Sequence, residues 1–468
     1  MHISDSSLST VLGSGLTTGG QANNKSIKEL NLNDEDIITC DVCVIGGGAT
    51  GTYAAVRLRE DFKKSVLVVE RDNQLGGNVN TYVVPGSNIP IDFGVQAYNN
   101  LPTTLDFFKR FNIPLEPAVI PPFERNYIDL KTGKGVTPIQ ANPVIALVNY
   151  AQLLQKYAYL VGGYGQLPDP VPQELLEPFG KFVQDNNLQA AVPIFWTFAF
   201  GVGNMLSATT LSVMQNFGLL QVNDLFTGGF LTTSRHNNSE LYQKASTLLG
   251  QDVLYGSTVI GRNWDDEGYN LVKIATPKGM RLVKAKKLLI TIPPTLANMQ
   301  PFNLDVVEEK MFSKWKWLNS YVAVVSDTGL PDDLQIINAD EESLFNLPQL
   351  PFVWQYDFSG IPGKYTVKLM GDDKFSADDA KKMIADDLAR IGGDGTELNG
   401  KIPTIDAFAS HSPLQLHPSP ESLKAGFYKK LYALQGHRNT FYTGHAWAGD
   451  YSSVLWQFTE GLLPSMIS

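Results

Sequence analysis

The sequence predicts a two-domain chain of α/β plus α+β class, on three observations. At 468 residues it exceeds the length over which a single hydrophobic core keeps growing. The stretch VIGGGATGTYAAVRL, residues 44 to 58, carries β-forming residues through three glycines into an alanine-rich helical pattern. A second β-rich run, SVLVVE, then ends in Glu70 and completes a strand, helix, strand unit.

Composition sets the outer limits. With 43% hydrophobic and 18% charged residues the chain reads as globular, neither disordered nor fibrous. A net charge of -10, without local clusters of Lys and Arg, argues against a nucleic-acid surface. The N-terminal leader, residues 1–36, is Ser/Gly/Asn-rich, is expected to be flexible, and has no continuous apolar core of a signal peptide. Sequons at Asn24 and Asn237 leave secretion open beside a cytoplasmic location, so compartment is undecided at this level.

The first strand, CDVCVI, holds Cys40 and Cys43. Three residues apart on a strand, they point to opposite faces, so they read as ordinary buried thiols. Gly46, Gly48 and Gly51 then spell G-x-G-x-x-G: one glycine for the tight turn, one for close approach to a pyrophosphate, one for helix-on-strand packing. The helix that follows, opening at Ala49 and Thr50, offers free N–H groups and a positive dipole end to phosphates. Glu70 stands about 20 residues beyond the last of these glycines, where a carboxylate grips ribose hydroxyls. A Rossmann-type dinucleotide site is the expectation.

The next segment decides between nicotinamide and flavin. Gly76-Gly77 lies just after the ribose acid, and IDFGVQAY follows, with Gln96 and Tyr98 inside it. A glycine-rich stretch there suits the close passage of the ribityl-phosphate arm of FAD.

From Asn186 to Asn223 there is no charged residue, yet Pro193, Gly201, Gly203 and Asn204 interrupt the run, so it does not read as a transmembrane segment. It is either plain core or the wall of an apolar substrate chamber, with Phe195, Trp196, Phe198 and Phe200 as candidates. AKKLLITIPP, SYVAVVSD and KYTVKLMG read as strands. FSADDAKKMIADDLARIGG reads as a surface helix capped by Ser376 with Asp379 and stopped at Gly392-Gly393. His411 and His417 lie in a proline-rich loop and are expected at the surface. The chain ends in a strand from Thr440 to Thr443, Gly444, a short loop with Trp447, and a helix from about Ser452, whose N-terminal N–H groups around Ser453 and Val454 face the cofactor's carbonyl edge.

These blocks together resemble the flavin-dependent amine oxidase superfamily, through Gly46-x-Gly48-x-x-Gly51, Glu70-Arg71 with Leu75-Gly76-Gly77, and Tyr442-Thr443-Gly444. Within it, AGFYKKLYALQGHRNTFYTGHAW is similar to the bacterial polyenoic fatty acid isomerases, and SSVLWQFTEGLLP to the fungal cyclopiazonate-dehydrogenase group. The resemblance implies FAD, places Val253 against the adenine, and puts Arg125 where the isomerases hold a substrate carboxylate; a surface pair with Glu124 or Asp129 is the alternative for that arginine.

Two departures stand out. The usual Gly-Gly-Arg is Gly76-Gly77-Asn78, and the usual Gly-Glu is Gly444-His445, which turns His445 toward the ribityl chain. No counterpart of the amine oxidases' flavin-side lysine is assignable, since Lys286 and Lys287 look solvated. Tyr98 and Trp447 are candidates for aromatic walls beside the ring, or for core.

The implied enzyme is an FAD-dependent oxidoreductase taking a hydride from a bulky, largely apolar small molecule, with oxygen or another electron acceptor. A double-bond isomerase of polyunsaturated fatty acids and a flavin-free binding protein of the same fold are the alternatives. The implied FAD-binding domain comprises residues 37–105, 225–295 and 425–468, and a mixed-sheet and helical substrate domain comprises 106–224 and 296–424. A monomer or homodimer without metal is expected.

Overall fold

Strand β1, Ile37–Ile45, runs into a glycine turn and then helix α1, Ala49–Glu60, before strand β2, Val66–Val69, returns parallel to β1. All four residues of β2 are buried, as expected of a parallel strand covered on both faces. The computed structural model describes residues 36–119, 122–391 and 403–467. The leader with Asn24 and the Gly392-Gly393 stop lie outside these.

Seven strands form the first sheet, in the order Thr258–Trp264, Asn270–Thr276, Gly279–Ile290, β1, β2, Val253–Leu254, with Thr440–Tyr442 also paired to Gly279–Ile290. The five parallel members end in one row. Leu254 pairs with Val69, Val69 with Ile45, Ile45 with Ile290, and Ile290 with Tyr442. Chain segments far apart in sequence therefore deliver Glu70, Gly46, Thr291 and Thr443 side by side, at the edge where open α/β sheets bind ligands. The C-terminal helix, Ser452–Ile467, locks onto α1: Trp456 Nε1 donates to Ala49 O at 3.0 Å, and the rings of Trp456 and Tyr53 stack at 6.0 Å.

The second sheet has eight strands, in the order Thr404–Ser410, Lys316–Ser326, Lys364–Gly371, Phe352–Phe358, Leu334–Asn338, Glu124–Asp129, Lys134–Gly135, with Leu414–His417 also paired to Lys316–Ser326. Its strands alternate between two covers. Tyr321, Ala323, Val367 and Leu369 pack against Ala380, Ile384 and Leu388 of helix Ala377–Ile391. On the opposite face Val322 and Val324 meet Ile91 and Phe93, which follow Gly76-Gly77 in the chain. The helix is capped as expected, Ser376 Oγ accepting from Asp379 N at 3.1 Å and Asp379 Oδ2 from Ser376 N at 3.0 Å.

Cys40 and Cys43 are buried, free thiols, and burial pushes Cys40 up to about 12. The surface expectation for the two histidines is corrected. His411 N donates to Ser320 O at 2.9 Å, its Nε2 lies 2.7 Å from Asn80 Oδ1, and burial lowers it to about 3. His417 ends a paired strand, and burial lowers its pKa too. The prolines around them punctuate sheet strands that pair with Lys316–Ser326, and pairing of that kind is invisible in local composition.

Candidate active site

The glycine turn is shaped by contacts that exclude any side chain. A Cβ on Gly51 would lie 1.9 Å from Gly46 O, so α1 touches the end of β1 directly. Gly46 and Gly444 have φ of +101° and +113°, a region that favours glycine. Thr291, absent from the sequence expectations, fixes this turn: its hydroxyl lies 3.0 and 3.1 Å from the carbonyls of Ile45 and Gly46 and donates to both. Gly47, the open position of the motif, is equally constrained, since a Cβ there would come within 2.4 Å of Leu75 Cδ2.

Glu70 closes the turn from the neighbouring strand. Its Oε2 accepts the Gly47 N–H at 2.6 Å and its Oε1 the Asp72 N–H at 2.7 Å. Burial raises its pKa, with those two N–H groups opposing the rise. Val253 sits beside it, because Glu70 N donates to Leu254 O and Ser257 N to Glu70 O. Arg71, by contrast, has a 68% exposed side chain beside Asp72.

Gly48 and Gly77 face each other: a Cβ on Gly77 would meet Gly48 Cα at 3.0 Å. Gly76 N donates to Gly47 O at 2.9 Å, tying the glycine pair to the turn. Asn78 O accepts from Val95 N at 3.2 Å, so the segment carrying Gln96 folds back alongside the pair. This bare backbone cradle suits the phosphate arm of a dinucleotide. Two further observations fit the flavin end. His445 Nε2 is buried with no hydrogen-bond partner, burial holds the imidazole below its usual range, and Asp450 opposes that shift. Burial in turn raises the Asp450 carboxyl, against the pull of His445. Ser453, at the start of the C-terminal helix, is fully buried beside Val454, its Oγ accepting from Asn99 N at 3.0 Å.

The aromatic candidates divide. Phe200 stacks on Trp354 of the second sheet at 4.1 Å and 5°, and Trp196 packs on Phe352 with its Nε1 buried and unpartnered. Phe195 is fully enclosed by Tyr150, Phe179 and Phe217, so it backs the wall rather than forming it. Tyr98, 1% exposed, lies between Phe108 and Trp456, and Trp447, also 1% exposed, stacks on Tyr442. Both pack in the core, one of the two readings the sequence left open for them, enclosed by the two helices and the last strand.

Arg125 is exposed on Glu124–Asp129, level with Gln335, whose Nε2 donates to Asp357 Oδ1 at 3.0 Å. Lys286 is solvated and paired with Asp41 at 2.8 Å, as expected. A lysine that sequence reasoning missed, Lys368, donates to Gln96 Oε1 at 2.7 Å. Its signal was available: a charged residue in phase with Lys364 inside a strand whose other residues are uncharged.

Comparison with known proteins follows the same lines. A model described as an NAD(P)-binding Rossmann-like domain matches residues 44–111. Beta-cyclopiazonate dehydrogenase of Aspergillus oryzae is 37% identical over 439 residues, 93% of this chain and 95% of that protein. FAD-dependent oxidoreductase oblC of Cochliobolus heterostrophus is 39% identical over 451 residues, 93% and 92% of the respective chains. Among solved structures, the CLA-producing fatty acid isomerase from P. acnes matches with a TM-score of 0.72 at 19% identity, covering 91% of this chain and 98% of its own. Putrescine oxidase matches with a TM-score of 0.62 at 15% identity, covering 92% and 98%. At those identities the two structures establish a shared fold. No helix among the described residues is long and apolar enough to cross a membrane.

Proposed function

Since this chain belongs to the family of FAD-dependent oxidoreductases that includes beta-cyclopiazonate dehydrogenase, we propose that it removes a hydride from a bulky, largely apolar small molecule of fungal secondary metabolism. The observation that carries the reading is the row of five strand ends, which brings the glycine turn, Glu70, Thr291 and Gly444 to one edge of the sheet. FAD, when bound, supplies the hydride acceptor.

The chain's own residues do the holding. Glu70 takes the ribose hydroxyls, Gly46, Gly48, Gly51, Gly76 and Gly77 leave room for the phosphates, and the N–H groups at the start of α1 meet their charge. His445, its Nε2 lacking a protein partner, donates toward the ribityl chain. Gln96, Gly444 and the start of the C-terminal helix line the ring end. Phe200, Trp354 and Trp196 exclude water and orient the substrate, which is the protein's main task when the transferred group is a hydride.

The cofactor half is assigned to residues 37–105, 225–295 and 425–468 and the substrate half to 106–224 and 296–424. Oxygen or another acceptor recovers the electrons, in a monomer or homodimer. The likeness to the isomerase is one of fold at 19% identity, so net oxidation is the reading adopted.

The test is the visible spectrum of the purified protein, followed by anaerobic addition of flat apolar metabolites. A flavin spectrum that bleaches with substrate supports the reading. A protein that stays colourless after incubation with FAD overturns it, and bleaching that reverses with an isomerised substrate and no net oxidation replaces it with the isomerase.

A further inference from the structure

No acid lies in salt-bridge contact with Lys368 among the described residues, and Asp357 is the acid whose charge acts on it. In the sheet Lys368 pairs with Val322 on one side and Gln355 on the other. Its neighbours Val367 and Leu369 point into the core under helix Ala377–Ile391, so Lys368 points to the opposite face. There its Nζ donates to Gln96 Oε1, on the segment that folds back along Gly76-Gly77. Lys368 thus stands at the seam between the cofactor cradle and the second sheet.

Lys364, on the same face, shows the contrast. Its Nζ lies 2.7 Å from Asp406 and is neutralised. The acid closest to Lys368 by register is Asp357, one rung further along, whose Oδ1 is already taken by Gln335. The other groups facing the lysine are Gln355, Val322, the Trp354 ring at 5.9 Å, and His411, which burial keeps neutral. Two cations, Lys368 and Arg125, act on the single buried acid Asp357, so these three groups carry more positive than negative charge. A poorly solvated cation without a salt-bridge partner is costly, and a position of that kind suits an incoming anion.

We propose that Lys368 anchors an acidic oxygen of the substrate, an enolate or carboxylate, while the stacked Phe200 and Trp354 hold its flat apolar body. This rests on the flavoenzyme reading above and narrows its substrate class to apolar acids. Burial lowers Lys368 to about 8, with Asp357 opposing, so the anchor loses its charge as pH rises through that value.

The experiment uses the yellow holoprotein and two probes, 2-naphthoate and its uncharged amide, titrated by calorimetry. The acid is expected to bind at least tenfold more tightly than the amide at neutral pH, and to lose that advantage above about pH 8. Lys368→Met should abolish the preference and leave amide binding and flavin content unchanged, while Lys368→Arg should keep most of it. Equal binding of acid and amide to the wild type, or an acid preference that survives Lys368→Met, overturns the proposal. So does loss of flavin in Lys368→Met, which would make the lysine a cofactor-positioning residue. Failure of the parent reading is seen separately, as a colourless wild-type protein.

Discussion

Glu70 Oε2 accepts the backbone N–H of Gly47 at 2.6 Å, so the acid ending one strand closes the glycine turn that ends its neighbour. One carboxylate supports the turn and keeps further lone pairs, which the proposed ribose contact would use. Glu70→Gln replaces one acceptor oxygen by an NH2 that must face an N–H donor. Stability is expected to fall by about 1–3 kcal/mol, and the flavin retained through gel filtration should fall with it. Full flavin retention at an unchanged melting temperature would show that the turn does not depend on this carboxylate.

Two glycine-to-alanine changes should have opposite effects. Gly51→Ala places a methyl 1.9 Å from Gly46 O and should yield no folded, flavin-loaded protein. Gly461 lies exposed within the C-terminal helix, where an added Cβ meets nothing within 4 Å. Gly461→Ala should raise stability by about 0.5–1 kcal/mol, read by denaturant unfolding.

His411 makes stability acid-sensitive. In the unfolded chain it takes a proton below about 6.5, whereas in the folded protein it does so only near 3. Between those values the unfolded state binds more protons, so stability falls as pH falls through that window, at up to about 1.4 kcal/mol per pH unit. His411→Gln keeps a donor for Asn80 and removes the titration. The variant's stability should decline less steeply over the window; parallel curves would exclude His411 as the cause.

Asp305, Glu308 and His437 bring three metal-ligating side chains together, but their demands are already met. Glu308, fully buried, accepts from Arg438 Nη1 at 2.7 Å and Tyr442 Oη at 2.9 Å, while His437 Nε2 lies 2.6 Å from Asp305 Oδ2. The network pins helix Val306–Phe312 to the last strand of the first sheet. Chelation should leave the melting temperature unchanged. Glu308→Gln should cost about 1–3 kcal/mol by weakening the charged hydrogen bond to Arg438. A melting temperature lowered by a chelator would reveal a resident ion.

The sequence by itself determined the nucleotide cradle and the class of chemistry. Gly46, Gly48, Gly51 and Glu70 lie within one strand, helix, strand unit whose spacing is set by local geometry, and the last strand and helix were legible for the same reason. The tertiary structure alone decided which of the other candidate side chains are enclosed and which stay accessible. A strand sends alternate side chains to two faces, and only its distant partners settle which face is covered. That is why Lys368 emerged beside Gln96, why His411 proved half-buried against the second sheet, and why Tyr98, Phe195 and Trp447, aromatic residues near cofactor or chamber segments, were taken into the core. An apolar side chain is drawn to any enclosed site, and where enclosure lies is set by packing between elements hundreds of residues apart.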